Sequence, residues 1–309
     1  MKIVFMGTPD YAAVTLEKLI GSAHEIVGVF AQPDKKVGRK QILTPPPVKV
    51  VALEHNIPVF QPDTLRDGKA LEILKELNPD IIVVVAYGKI LPEEILNLPK
   101  YGCVNGHASL LPKYRGASPI QWCIVCGEKE TGVTVMQMDK GMDTGDILTQ
   151  RKVAIGEKET AEELFERLSV ISADLMLETI ENIENITPVK QNEAEASYAP
   201  IIKKEMAFLD FAKSAEELYC ATRGYYSWPV AYLFINGKRI KVIESAVGEK
   251  THEKAGTVVG NTDCLEIACG DSKTLKLLTV QPEGSKPMTA KQMLCGMRIE
   301  KGFVVDGKC

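Results

Sequence analysis

The stretch that decides the fold is residues 1–30, MKIVFMGTPDYAAVTLEKLIGSAHEIVGVF. An apolar run at residues 2–6 closes at Gly7-Thr8-Pro9, and apolar residues then recur at helical spacing from Tyr11 to Ile20. A second strand-like run extends from Glu25 to Phe30. This strand–helix–strand order predicts a parallel sheet. A dinucleotide site is disfavoured because the first turn lacks the G-x-G-x-x-G pattern.

The segments that follow continue an α/β pattern. Ile81 to Val85 is a continuous run of β-branched residues, typical of a strand buried on both faces. Further short strands are predicted at 103–105 and 133–136. Helical periodicity is found at 47–55, 68–77, 117–126 and 160–185. The N-terminal part is therefore predicted to be an α/β domain with a parallel-rich sheet.

The last third of the chain has a different pattern. A polar, proline-containing segment at 189–205 is predicted to be a linker between a domain at 1–188 and a domain at 206–309. In the second domain, one helical pattern at 214–223 precedes a hairpin signal at Asn236-Gly237. Further strands are predicted at 256–260, 264–268, 274–280 and 302–305. Short strands with frequent turns predict a small β-barrel.

Composition narrows the class of protein. The 309 residues are 45% hydrophobic and 25% charged, which is typical of a folded soluble protein and excludes collagen-like or disordered chains. No apolar run reaches the roughly 18 residues of a membrane span, and the start becomes polar too early for a secretory signal. The net charge of −4 does not by itself indicate a nucleic-acid-binding protein. Eight scattered cysteines favour free thiols in a reducing cytoplasm.

Two polar residues stand where a predicted strand ends, in Asn105-Gly106-His107. In open α/β sheets, ligands bind beyond the carboxyl ends of strands. Residues two apart in extended backbone point to the same face, so Asn105 and His107 could address one reacting atom. An amide can donate to a developing oxyanion, and an imidazole exchanges protons near neutral pH. The alternative is a capped strand end with a structural histidine.

Two nearby loops and one cysteine pair allow more than one interpretation. Ser109 to Gly116 follows the strand and could contact a ligand or simply connect two elements. Asp139 to Asp146 holds three carboxylates, which could hold a metal, orient a histidine or form an acidic turn. It lacks the alternation and terminal glutamate of a calcium loop. Cys123-x-x-Cys126 is interpreted as buried thiols, because no second pair has metal-ligand spacing.

Considered together, these motifs resemble the folate-dependent formyltransferase family. The resemblance is carried by Gly7-Thr8-Pro9-Asp10, Asn105-x-His107, Ser109-Leu110-Leu111-Pro112 and Met142-Asp143-Thr144-Gly145-Asp146. Further matches extend it over nearly the whole chain and point to the members that act on tRNA: Gln32-Pro33-Asp34, Gly38-Arg39-Lys40, Val85 to Pro92, Tyr198-Ala199-Pro200, Arg223-Gly224, Trp228-Pro229 and Gln281-Pro282-x-Gly284. The chain departs from the family pattern at Gly106, where relatives usually have an aliphatic residue.

The resemblance implies a Rossmann-like formyltransferase domain followed by an OB-like β-barrel domain. It implies transfer of the formyl group of 10-formyltetrahydrofolate to the free amino group of methionine on initiator methionyl-tRNA, in translation initiation. The catalytic residues carried over are Asn105 and His107, as oxyanion donors, and Asp143, which positions His107. No metal is expected, and the protein is expected to be a cytoplasmic monomer without a membrane partner.

Binding residues carry over by the same resemblance. The folate site would be lined by Ser109, Leu110, Leu111, Pro112, Tyr87, Gly88 and Leu91. The tRNA would be contacted by Lys35, Lys36, Arg39, Lys40, Lys203 and Lys204. The alternative for the basic segment at 32–49 is a solvated surface loop. Two other functions stay open, namely formylation of an amino sugar and RNA binding without catalysis.

Overall fold

A computed structural model describes residues 1–38 and 40–307 of the chain. Its backbone contacts divide the chain into two compact units. Unit 1 comprises Met1–Pro119, Glu130–Val153 and Phe165–Ala199. Unit 2 comprises Ile120–Lys129, Ala154–Leu164 and Pro200–Cys309. The domain boundaries expected from the sequence, after residue 188 and before residue 206, stay a prediction.

Unit 1 is built around a seven-stranded sheet and a separate two-stranded hairpin. The strands are β1 (Lys2–Gly7), β2 (Glu25–Phe30), β3 (Lys35–Val37), β4 (Ile42–Thr44), β5 (Val59–Phe60), β6 (Ile81–Val85), β7 (Cys103–His107), β8 (Glu130–Gln137) and β9 (Ile147–Ala154). Their order in the sheet is β5-β2-β1-β6-β7-β8-β9, while β3 and β4 form the hairpin. The first five strands of this order run parallel, and β8 runs antiparallel to β7. The predicted parallel-rich α/β class is confirmed.

The strand order reverses direction between β1 and β6. The chain first builds outward from β1 to β2 and β5, and then returns to the other side of β1 with β6 and β7. In open α/β sheets, ligands bind at the carboxyl ends of the strands where such a reversal occurs. All five residues of β6 are buried, as the continuous Ile/Val run predicts.

Eight α-helices are found in the described part of the chain. The helices are α1 (Asp10–Ile20), α2 (Pro47–Glu54), α3 (Lys69–Leu77), α4 (Glu93–Leu96), α5 (Pro119–Val125), α6 (Ala161–Glu181), α7 (Ala215–Gly224) and α8 (Ala290–Gly296). The start of α6 has the predicted capping box, in which Thr160 and Glu163 exchange backbone hydrogen bonds. The helix ends at Glu181 rather than at residue 185, and a 3-10 turn follows at Ile183–Asn185.

Unit 2 is organised around an antiparallel sheet. Its strands are β10 (Tyr232–Ile235), β11 (Lys238–Lys250), β12 (Val258–Gly260), β13 (Leu265–Ala268), β14 (Lys273–Pro282) and β15 (Met288–Thr289). The sheet order is β10-β11-β14-β13-β12, with β15 beside β14. Register shifts along β11 bend this long strand, so that the sheet curls around an apolar core. This curled half-barrel confirms the predicted small barrel-type domain.

Several local predictions were wrong or incomplete. The predicted strand at 302–305 is not formed, and Val304 makes an isolated bridge with Thr257 instead. The segment at 32–49 contains the β3–β4 hairpin rather than only loop. Cys123 is buried as predicted, whereas Cys126 is exposed. Within the described part of the chain, no helix has the length and apolar character needed to cross a membrane.

Candidate active site

The candidate site lies where three parallel strands end side by side. Gly7 at the end of β1 pairs with Val85 at the end of β6, and Val84 pairs with Asn105 of β7. The loops that follow β1 and β6 are also joined, because the Thr8 hydroxyl donates to the carbonyl of Tyr87 at 3.2 Å. The β7 motif therefore lies at the carboxyl edge of the sheet, next to the end of β6.

The imidazole of His107 is held by a backbone carbonyl on one side and faces a carboxylate on the other. Nε2 donates to the carbonyl of Tyr114 at 2.9 Å, and Nδ1 lies 3.7 Å from Oδ2 of Asp143. The side chains of His107 and Asp143 are 7% and 15% exposed. Because Nε2 carries the hydrogen for the Tyr114 carbonyl, Nδ1 is the ring nitrogen that faces the carboxylate.

Asp143 is fixed from two directions. Its Oδ2 accepts the N–H of Gly116 at 2.8 Å, and its Oδ1 lies 3.5 Å from Nδ2 of Asn105. Gly116 has a φ of +115°, and a Cβ there would lie 2.8 Å from the carbonyl oxygen of Ala199. Only glycine fits such a position without displacing backbone. The loop after β7 is thus shaped to deliver one N–H to the carboxylate.

The structure brings the three predicted catalytic residues together. Asn105, His107 and Asp143 lie around one point at the sheet edge, within the distances given above. An amide donor, an imidazole and a carboxylate in one place can stabilise negative charge on an oxygen and move a proton. Their roles in catalysis stay a prediction. The geometry meets the requirement for such roles that the three side chains lie close together.

Sequence reasoning missed one residue that contacts the loop of Asp143. Gln191 donates through Nε2 to the carbonyls of Asp143 at 2.9 Å and Gly145 at 2.7 Å. Gln191 lies in the segment interpreted as a linker, 48 positions from Asp143. No local pattern signals a contact at this sequence separation, so only the folded chain reveals it.

The first set of predicted folate residues is engaged in internal hydrogen bonds. The fully buried Ser109 donates its hydroxyl to the carbonyl of Lys113 at 2.6 Å. The N–H of Leu111 donates to the Thr134 hydroxyl at 3.1 Å, and Gln150 donates to the carbonyl of Leu111 at 2.8 Å. The Ser109 hydroxyl and the Leu111 backbone therefore stabilise the loop after β7. The half-buried Leu110 and Pro112 are the more accessible apolar residues of this loop.

The second set follows β6. Tyr87 and Leu91 are 2% and 4% exposed and pack into the same apolar cluster, whereas Gly88 is exposed between them. Burial raises the pKa of Tyr87 to about 12, so its hydroxyl stays protonated and uncharged at neutral pH. The Tyr87 carbonyl also accepts from Nε2 of Gln32 at 3.0 Å. This loop can border a ligand through its backbone and through Gly88.

The predicted tRNA contacts fall into two groups. Lys35 and Lys36 on β3 are exposed, as is Lys40 in the hairpin turn, whereas Arg39 lies outside the described residues. Lys203 and Lys204 belong to unit 2 and are exposed. Each described lysine therefore has its ammonium group available to solvent or to a polyanion.

Lys49 belongs to the same basic segment but has a different environment. Its Nζ lies 2.8 and 2.9 Å from the carboxylate oxygens of Asp34 and 2.8 Å from Oε1 of Gln61. Hydrogen bonds from Lys49 and Gln61 hold the pKa of Asp34 below its ordinary value. Gln61 also donates to the carbonyl of Gln32 at 2.8 Å. Lys49 therefore closes the base of the hairpin, and Asp34 neutralises its charge.

One alternative for the acidic loop at 139–146 is metal ligation. Oδ1 of Asp139 accepts from the N–H of Gly141 at 2.9 Å and from the Thr144 hydroxyl at 2.7 Å, so this carboxylate stabilises a turn. Among the described residues, no three His, Cys, Asp or Glu side chains are grouped so that they could hold a metal ion.

The chain is similar over most of its length to known proteins. The model of the family "Formyl transferase" matches residues 1–180, and that of "Formyl transferase, C-terminal domain" matches residues 201–298. A methionyl-tRNA formyltransferase of Alkaliphilus oremlandii is 49% identical over 309 residues, covering 99% of both chains.

Solved structures show the same fold. A sugar 3N-formyl transferase, WlaRD, matches with a TM-score of 0.67 at 21% identity, over 93% of this chain and 99% of that one. A methionyl-tRNA formyltransferase from Clostridium thermocellum matches with a TM-score of 0.57 at 24% identity, over 80% of this chain and 93% of that one. The chain therefore belongs to the formyl transferase family, in the group of the methionyl-tRNA formyltransferases.

Proposed function

We propose that this protein transfers the formyl group of 10-formyltetrahydrofolate to the free amino group of methionine on initiator methionyl-tRNA. The product, N-formylmethionyl-tRNA, serves translation initiation. The full-length relative at 49% identity carries the name of this activity. The observation that carries the chemistry is the convergence of Asn105, His107 and Asp143 at the carboxyl edge of the sheet.

The reaction exchanges one C–N bond for another. The uncharged amine of methionine attacks the formyl carbon, and the formyl oxygen gains negative charge as the carbon becomes tetrahedral. The bond to N10 of the folate then breaks, N10 takes up a proton, and the attacking amine loses one. Catalysis therefore needs donors for the oxygen and a route for the proton.

The three residues can meet both needs. Nδ2 of Asn105 can donate to the developing oxyanion, as can the protonated Nδ1 of His107. Asp143 faces Nδ1 at 3.7 Å and stabilises the charged form of the imidazole while the proton moves. Because Oδ2 of Asp143 is already bound to the Gly116 N–H, the carboxylate is in place before substrate arrives.

The formyl donor fits the loops that follow β6 and β7. Gly88, Leu110 and Pro112 offer backbone and apolar surface, while Tyr87, Leu91, Ser109 and Leu111 are buried supports of the two loops. The WlaRD structure was determined in the presence of 5-N-formyl-THF, which supports a formyl folate as the donor for a protein of this fold. In our proposal no metal takes part, since donors and a proton carrier supply the chemistry.

The acceptor is a large polyanion, and exposed cations suit it. Lys35, Lys36 and Lys40 would contact its phosphates from the hairpin, as would Lys203 and Lys204 from unit 2, and Arg39 is added on the family resemblance. Contacts of this kind make binding fall steeply with salt. We infer that the protein acts in the cytoplasm as a monomer.

An amino sugar is the second candidate acceptor, since WlaRD is a sugar formyl transferase of the same fold. The exposed lysines of the hairpin favour a polyanion instead. Purified protein supplied with 10-formyltetrahydrofolate and either methionyl-tRNA or an amino sugar nucleotide distinguishes the two. We expect formylation of methionyl-tRNA only. Formylation of the sugar alone would reject the proposal, and binding of tRNA without turnover would favour a non-catalytic RNA-binding protein.

A further inference from the structure

A chain of hydrogen bonds leads from the backbone of Asp143 back to its own carboxylate. Gln191 binds the Asp143 carbonyl through Nε2, while its Oε1 accepts from Nε and Nη2 of Arg115 at 3.0 and 2.8 Å. The next residue after Arg115 is Gly116, whose N–H binds Oδ2 of Asp143 at 2.8 Å. Gln191 and Arg115 therefore close a ring of hydrogen bonds that fixes both the backbone carbonyl and the side-chain carboxylate of Asp143.

The guanidinium of Arg115 is the rigid part of this ring. Its side chain is 0% exposed, and it makes two contacts to Glu193, from Nη1 at 2.9 Å and from Nη2 at 2.7 Å. A buried cation needs such partners, because desolvation without them is costly. The planar group leaves Gln191 and Glu193 in fixed positions relative to the loop after β7.

Asp143 needs this support because of its backbone. Its φ is +55°, in the left-handed region that non-glycine residues seldom occupy. Such conformations persist where the surroundings over-determine them, and they are often found at functional sites. Gln191 supplies that constraint by holding the carbonyls of Asp143 and Gly145 together.

We propose that Gln191, clamped by Arg115, is a positioning residue for formyl transfer, which orients the Asp143 carboxylate toward His107. The inference rests on the proposed function, because it gives Asp143 a role in turnover. Gln191 acts through Asp143 and does not touch substrate.

The test is Gln191→Glu in the full-length protein, assayed with both substrates. Glutamate keeps the acceptor for Arg115 but loses both N–H donors and faces two carbonyls. We expect kcat to fall about 10- to 100-fold, as for a small misplacement of a catalytic group. The KM values for folate and tRNA should stay near those of the wild type, and the pH dependence of kcat should change. Gln191→Asn keeps the amide on a shorter side chain, so its kcat should lie between those of the wild type and Gln191→Glu. It replaces Gln191→Glu in the test if that variant does not fold.

Two comparisons separate positioning from a merely structural effect. Gln281→Glu is the matched control, because Gln281 also donates to a backbone carbonyl, that of Ser285 at 2.9 Å. It should keep wild-type kcat. In an Asp143→Ala background, Gln191→Glu should lower kcat no further, since the two residues act as a unit. An equal loss in both backgrounds, or an unchanged kcat in the wild-type background, overturns the inference. Failure of the wild-type protein to formylate methionyl-tRNA would instead overturn the proposed function.

Discussion

Nδ1 of His107 faces Oδ2 of Asp143 at 3.7 Å, and this oxygen is also the acceptor of the Gly116 N–H at 2.8 Å. The negative charge is thus held by backbone on one side and directed at the imidazole on the other. A carboxylate that is placed before the reaction needs no reorganisation when charge develops. Catalysis should therefore depend on the charge of Asp143 as well as on its shape.

Asp143→Asn tests this dependence on charge. Asparagine has nearly the same size and can still accept the Gly116 N–H, but it cannot stabilise a charged imidazole. We expect kcat for methionyl-tRNA to fall roughly 10²- to 10⁴-fold, the usual contribution of acid–base groups. Single-turnover kinetics with saturating folate and tRNA measure it. Asp139→Asn is the control and should retain turnover, because the Asp139 carboxylate lies in the same loop but binds Gly141 and Thr144. An equal loss in both variants would mean that loop disruption is the cause.

Asn105→Ala tests the oxyanion donor. Nδ2 of Asn105 lies 3.5 Å from Oδ1 of Asp143, a long contact that leaves the amide free to bind another acceptor. Removing one preorganised donor typically lowers kcat about 10²- to 10³-fold. Steady-state assays should show this loss with little change in thermal stability. A variant that turns over like the wild type would exclude the amide from transition-state stabilisation.

The sequence was sufficient to locate the trio but not its support. The end of a predicted strand marks Asn105 and His107, and the motif Met142 to Asp146 marks Asp143. Both signals come from residues that are neighbours in the chain. Gln191 could not be predicted because its partners, Asp143 and Gly145, are 48 and 46 positions away in the chain. Gln191 itself lies in a segment whose prolines and polar residues are typical of linkers. Local patterns carry no information on such pairs. For the same reason the sequence does not predict the ion pair of Lys49 with Asp34, because the two residues meet only at the base of the folded hairpin.

Two errors in strand prediction have a related cause. The β3–β4 hairpin is not predicted because its charged residues are typical of a loop, yet Lys36 pairs with Leu43 across it. Conversely, residues 302–305 have strand composition, but an isolated bridge between Val304 and Thr257 forms there instead of a strand. β-propensity describes how well a residue fits a half-buried pleated surface, so it fails where pairing partners are few or unforeseen.

The double variant Lys35→Ala/Lys36→Ala tests the hairpin as a tRNA contact. Both ammonium groups are exposed on β3, so their removal should leave the fold intact. Each lost phosphate contact should reduce the slope of log K against log salt by about 0.7 to 0.9. Binding of methionyl-tRNA across a salt series measures the slope. Lys69→Ala/Lys75→Ala on α3 is the matched control. Identical slopes for both double variants would remove the hairpin from the tRNA interface.

Asp34→Asn tests the clamp at the hairpin base and its dependence on pH. The pKa of Asp34 is lowered in the folded protein by Lys49 and Gln61, so its ionised form stabilises the fold. That stabilisation is complete well above the ordinary aspartate pKa of about 3.9 and is lost as pH falls through the lower, folded-state pKa. The difference in Tm between wild type and variant should therefore be constant from about pH 7 to 5 and shrink below about pH 4.

A second variant identifies the partner in this clamp. In a Lys49→Met background, Asp34→Asn should change Tm less than it does in the wild type, because the ion pair is already absent. Thermal unfolding followed by circular dichroism over the same pH series is sufficient. If the Tm difference persists undiminished at the lowest pH, the carboxylate charge contributes nothing to the clamp.

Gly106→Val tests why this chain has glycine between Asn105 and His107, the two proposed oxyanion donors. Gly106 is a regular residue of β7, opposite Val135 of β8, and an added Cβ would lie 3.1 Å from Oγ of Ser172 and 3.3 Å from Cε of Met176. The side chains of α6 thus fill the space that an aliphatic residue would need. Overpacking of this kind costs about 1–3 kcal/mol, and we expect the free energy of unfolding in urea to fall by that amount.

The compensating change is Met176→Ala, which removes the flexible side chain that would collide with the new valine. Met176 is fully buried, so this truncation alone should cost about 2–5 kcal/mol through the cavity that it leaves. In the double variant the valine fills part of that cavity, because both changes affect the same space. Urea unfolding of all four proteins should therefore show that the double variant is more stable than additive costs predict, by about 0.5–3 kcal/mol. Strictly additive costs would show that Met176 does not determine the need for glycine at position 106.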